Sequence, residues 1–124
     1  MSRTRLELFQ WTALLAGPLA WAVQHVVMFF TVTADCNPAG SRWNVPQKEI
    51  VVAMTIATAL VVVVAELAGY AAYRATDGID KEGEPPLGRI RFLSMAALVI
   101  GPLFLALVLL DGGGNLAHGG CVQG

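Results

Sequence analysis

The sequence predicts an all-α integral membrane protein: a single domain of three transmembrane helices with the N-terminus inside and the C-terminus outside. Three observations predict it. The 124 residues are 56% hydrophobic and only 14% charged, against roughly 25% charged in soluble domains. The apolar residues gather in three blocks, 11–34, 50–73 and 92–110, each close to the roughly 20 residues that cross a hydrocarbon core as a helix. Polar segments rich in turn residues separate the blocks. A soluble fold would need to bury three helices that are apolar on every side, and so short a chain has too little other structure to do it.

The first block follows Arg3 and Arg5 and has the look of an export signal, with "VTA" before Asp35 as a cleavage site. Its apolar run exceeds the roughly 7 to 15 residues of a signal core, so it is expected to stay as a membrane helix. The second block ends on Tyr70 and Tyr73, and Trp11 and Trp43 stand near the other boundaries, the positions interfacial aromatics favour. After the third block comes "DGGGNLAHGGCVQG", expected to be an irregular external tail over 111–124. The loop 35–49 is expected outside and the loop 74–91 in the cytoplasm. Arg3, Arg5, Arg74, Lys81, Arg89 and Arg91 then lie inside, with only Arg42 and Lys48 opposite, as the positive-inside bias requires. The formal net charge of −1 argues against a nucleic-acid partner; the lipid bilayer is the expected surrounding.

That topology puts Cys36 and Cys121 on the same outer side, an oxidising compartment in a bacterial inner membrane. A disulfide between them is the leading reading. It would close a loop of about 85 residues, which the chain-entropy model values at about 4 to 5 kcal/mol. Two thiols, or a metal site built from His118 and Cys121 with Cys36 and Asp35, are the alternatives. Without a C-x-x-C or C-x-x-C-H motif, dithiol exchange and covalent haem attachment lack their usual signatures.

Polar residues inside the blocks are the remaining chemistry, because ionisable groups in hydrocarbon are costly and turn toward protein or water. Glu66 shares a helical stripe with Thr55, Ala59, Gly69, Tyr70 and Tyr73, and that stripe is expected to face the other helices. It reads first as a packing residue and second as a proton or cation ligand. His25, beside Gln24, lies roughly 12 Å in depth from Glu66 when both are counted from the outer boundary, so direct pairing is not expected. Thr55 and Thr58 lie nearer its level. A neutral imidazole bonded to a threonine, or to another subunit, is the first reading of His25, and haem ligation the second. Met28, Met54 and Met95 read as packing residues.

A Gly-Pro pair stands in the middle of the first and third blocks, Gly17-Pro18 and Gly101-Pro102. Proline removes a backbone donor and kinks a helix, and glycine allows close approach at the bend. Kinks are therefore expected in both helices.

The phrase "GPLAWAVQH", followed by a cysteine just past the first helix, resembles small multi-span membrane proteins that accompany bacterial cytochrome c oxidase genes. The resemblance implies association with a terminal oxidase or a related energy-transducing complex. Together with the lack of a nucleotide motif, catalytic triad or metal cluster, it leads to an expected accessory role, supernumerary or assembly, within a larger integral membrane protein complex. No catalytic activity and no cofactor of its own are expected, and any haem, pigment or lipid touched would belong to the partner. The alternative is the protomer of an oligomeric proton, ion or small-solute transporter using Glu66 and His25.

Overall fold

The computed structural model describes residues 1–36 and 45–118. Among them are three helices, α1 (Arg3–Asp35), α2 (Gln47–Ala75) and α3 (Leu87–Ala117). All three are long and apolar enough to cross a membrane. Each packs against both others, α2 antiparallel to its neighbours, so the bundle has a turn end carrying the α2–α3 connection and a far end carrying the C-termini of α1 and α3. The 33 residues of α1 amount to about 50 Å, longer than the roughly 30 Å of hydrocarbon.

The valine run of α2, "IVVAMTIATALVVVVAEL", would favour a strand on a half-buried sheet in water. In lipid every backbone N–H and C=O must be satisfied within the segment, and a helix does this without a partner strand. At its start α1 uses Ser2, whose hydroxyl accepts from the Arg5 N–H at 3.4 Å. α2 stops at Thr76, whose side chain turns back onto the Ala72 carbonyl at 2.9 Å. Gly78 then takes the left-handed conformation, φ +81°, open to glycine without steric cost.

The buried line of α2 is Val51, Thr58, Val62, Ala65, Gly69 and Ala72. Of the stripe expected from the sequence to face the other helices, Gly69 belongs to this line and Thr55, Ala59, Glu66 and Tyr73 lie half-buried at its edges, whereas Tyr70 is exposed and corrects the expectation at that position. The interior follows a near-heptad spacing of small residues, with Ala13, Gly17 and Ala20 on α1 and Ala97, Gly101 and Gly112 on α3. In lipid, large apolar side chains gain nothing by leaving the tails, so helices associate where small residues let the backbones close in. Gly69 shows this: a Cβ there would meet the Ala13 Cβ at 2.9 Å.

From the turn end, the layers begin with Leu6, Ala72 and Ile90, with Phe9 packed on them. Ala13, Gly69 and Ala97 come next, and the Glu66 carboxyl then rests against Gly101. Ala20, Val62 and Val108 form the following layer, flanked by Trp21, Ala59 and Leu105.

Helices overrun the apolar blocks at both ends, and at one place this corrects the sequence reading. Residues 111–117, expected to be irregular, continue α3. Gly112 fits against the Thr55 side chain in that last stretch, and the Asn115 amide donates within it to the Asp111 carbonyl at 2.8 Å. α1 and α3 each run as one helix through Pro18 and Pro102.

Candidate functional site

Gln24 joins all three helices. Its Nε2 donates to the Val108 carbonyl at 3.0 Å, and its Oε1 accepts from the Thr58 hydroxyl, which is also within 2.7 Å of the Met54 carbonyl. The amide is fully buried. A primary amide both donates and accepts, so a single side chain on α1 meets a hydroxyl on α2 and a backbone carbonyl on α3. The threonine expected to serve His25 is therefore taken by Gln24. Thr55 turns its hydroxyl to its own helix, 2.7 Å from the Val51 carbonyl.

One position further along α1, His25 points out of the bundle and meets Asp111 of α3, with Nδ1 3.4 Å from Oδ2. Its side chain is 59% exposed and that of Asp111 18%. The threonine expected to partner His25 thus gives way to a carboxylate on the stretch expected to be an irregular tail. The three glycines after Asp111 concealed the helix; the i, i+4 pairing of Asp111 with Asn115 was the available signal. Asn115 Nδ2 also lies 3.4 Å from Asp111 Oδ1 and 3.3 Å from the Met28 sulfur. Together His25, Met28, Phe29, Val32, Asp111 and Asn115 line a cavity of about 200 Å³.

The level of this pair matters. Because Gly112 abuts Thr55, Asp111 lies several residues inside Ile50, where the apolar run of α2 begins. On α1 the exposed rings of Phe29 and Phe30 continue the apolar surface beyond His25. The pair therefore sits within the apolar belt, near its far edge. On the adjoining side of His25, Trp21 stacks on the imidazole at 5.6 Å with 29° between the planes and leans on Phe104 at 6.3 Å.

Glu66 occupies the recess left by Gly101, and Gly17 gives room to Phe104, whose Cβ would lie 3.3 Å from an added Cβ. The two Gly-Pro glycines thus each receive a side chain from another helix. Glu66 and His25 are separated along the bundle by the Ala20, Val62 and Val108 layer.

Cys36 closes α1, its N–H donating to the Val32 carbonyl at 2.8 Å. His118 caps α3, with Nδ1 2.9 Å from the Gly114 carbonyl. Cys121 and Trp43 lie outside the described residues, and with Cys121 both the disulfide and the His118–Cys121 metal reading. Among the described residues no three His, Cys, Asp or Glu side chains gather into a metal-holding group.

Sequence reasoning also missed polar groups at the turn end. Gln10 and Ser94 are fully buried, and neither amide atom of Gln10 nor the Ser94 hydroxyl has a hydrogen-bond partner. Arg91, counted in the sequence only as a charge, is 9% exposed. It donates to the Thr76 carbonyl at 2.8 Å and the Tyr73 carbonyl at 3.1 Å, and its guanidinium lies 4.3 Å from the Tyr73 ring centre. Arg91 thereby adds a charged donor to carbonyls at the end of α2, of which Tyr73 also receives the Thr76 hydroxyl at 3.1 Å and Thr76 the Ile79 N–H at 3.2 Å.

Comparison of the chain with protein-family models, curated proteins and solved structures finds no match.

Proposed function

We propose that this chain is a small accessory subunit, supernumerary or assembly, of a larger bacterial inner-membrane complex, and that it is not itself catalytic. The observation that carries the reading is the His25 imidazole, turned outward within the apolar belt and paired with the mostly buried Asp111. An ionisable side chain facing lipid is costly, and such residues normally face protein or water; a partner helix on this face would remove the cost. The interior supports the same reading. Gly69 against Ala13, and Val62 against Ala20 and Val108, are close-packed layers between the polar groups, which disfavours a proton or solute path through one copy.

A respiratory partner such as a terminal oxidase rests on the "GPLAWAVQH" resemblance. The inside N-terminus rests on the basic-residue bias, and kinks at Pro18 and Pro102 on the missing backbone donors. The Cys36–Cys121 disulfide belongs to this reading as the tie of the external tail; alkylation without reductant should find no reactive thiol in protein from oxidising cells.

Blue-native electrophoresis tests the role. Deleting the gene should lower the amount of a larger complex, and a His25→Ala, Asp111→Ala chain should reach the membrane but migrate apart from it. An unchanged complex on deletion, with Glu66→Gln abolishing a proton-dependent flux in liposomes, would overturn the reading in favour of the transporter.

A further inference from the structure

Asp111 is poorly satisfied by its own chain. Its side chain is 18% exposed and lies inside the apolar belt, yet the contacts of its carboxyl oxygens, with His25 Nδ1 and Asn115 Nδ2, are both 3.4 Å long. Ordinary N–H···O bonds run about 2.7 to 3.2 Å, and a carboxylate has about four lone-pair sites to fill. Beside it lies the cavity of about 200 Å³, whose walls include the Asn115 amide, the Met28 thioether and the Phe29 ring. A carboxylate, an amide oxygen, a thioether and a ring face all receive a cation or a donor. No described residue brings a cation there: every described arginine lies at the turn end, as does Lys81, and Lys48 stands outside the apolar run of α2.

We propose that Asp111 is the docking acid for a basic side chain carried on a transmembrane helix of the partner complex, with the cationic head entering this cavity between α1 and α3. The proposal rests on the accessory-subunit reading and specifies what the partner brings. Ionisable residues within membrane spans pair with one another, and a helix holds its lysine or arginine at this depth, whereas a free cation or a lipid ammonium must leave the water or the headgroup layer unaided. The cavity is also smaller than the roughly 300 to 1,000 Å³ of small-molecule sites, a size suited to one inserted side chain. Exposed Phe29 and His25 on its rim open it outward, toward a neighbouring helix. A second copy of this chain offers no basic side chain at this depth among its described residues.

A probe helix tests the chemistry without the complex. A leucine-rich transmembrane peptide with one lysine at the depth of Asp111 is mixed with the full chain in phosphatidylcholine vesicles, whose lipid has no primary ammonium. Association is read by energy transfer between dyes on the two. The lysine peptide should bind about tenfold more tightly than the same peptide with leucine or glutamine at that position. Asp111→Asn should remove the advantage, Asp111→Glu should keep it, and Glu66→Gln should leave it unchanged. Asparagine retains the shape and the backbone carbonyl that holds Asn115, so its unfolding in micelles should match that of the parent, which separates lost recognition from lost folding. Equal binding of the lysine and glutamine peptides, an advantage that survives Asp111→Asn, or one lost with Glu66→Gln overturns the proposal. An advantage that vanishes in phosphatidylethanolamine vesicles makes the lipid ammonium the occupant and overturns it as well. None of these results alters the blue-native test of the accessory role, and an unchanged complex on gene deletion leaves the lysine selectivity of Asp111 standing, so the two fail separately.

Discussion

The two ends of the bundle treat their charged groups in opposite ways. At the turn end, Arg91 is drawn inward onto two carbonyls and an aromatic ring, and Arg89 reaches across to Glu7 at 3.2 Å, which Arg3 also approaches at 3.6 Å. Those charges are spent on joining α2 to α3 and α3 to α1. At the far end the joining is done by a neutral amide, Gln24, while the ionisable His25 is left on the outside against a mostly buried Asp111. Arg91 is surrounded by its own chain; the His25 imidazole, 59% exposed yet held by Asp111 and Trp21, is available to something else.

The difference can be broken or sharpened by substitution, with unfolding in mixed detergent micelles as the common measurement. Arg91→Ala should have the largest effect, a loss of about 3 kcal/mol, since charge-assisted hydrogen bonds to two carbonyls disappear together. A loss under about 0.5 kcal/mol would show that water serves those carbonyls equally well and would remove the contrast between the ends. Gln24→Leu should cost about 1 kcal/mol, the scale of hydrogen bonds between membrane helices. The effect is modest because the Thr58 hydroxyl, its one hydrogen released from Gln24, can donate to the Met54 carbonyl 2.7 Å away. His25→Ala should change stability by about 0.5 kcal/mol or less, since the imidazole is largely exposed and its contact with Asp111 is long, 3.4 Å; a cost as large as that of Gln24→Leu would make the pair a structural lock instead of a recognition element. Gln10→Leu should leave stability unchanged or slightly raised, because the buried amide it removes has no partner and an unsatisfied polar group is itself a cost. If it destabilises like Gln24→Leu, Gln10 has a hydrogen-bond partner, such as a buried water.

Much of the fold was legible because its cause is local. A run of apolar residues long enough to span lipid must become a helix whatever its neighbours are, and 11–34, 50–73 and 92–110 did so even where valines favour strands. The ends were less legible. Asp111 and the glycines after it read as a tail, since glycine lowers helix propensity and nothing nearby in sequence reveals that Gly112 fits against Thr55. The face of α2 was legible in part. Thr55 and Glu66 turn toward α3, against Gly112 and Gly101, but in lipid the closest approach is set by small side chains, so Gly69 and Ala72 lie deepest and Tyr70 is left exposed.

By itself, then, the sequence determined the number of helices, their membrane character and the residues worth suspecting, because each follows from the transfer of a single segment into hydrocarbon. Only the tertiary structure decided the partners: Gln24 with Thr58 and Val108, Arg91 with the end of α2, and His25 with Asp111, which is 86 positions away in the chain. Pairings of that kind depend on rotation and depth, and one step along a helix turns a side chain by about 100°. Gln24 and His25 are neighbours in sequence, and that single step puts one at the centre of the bundle and the other on its surface.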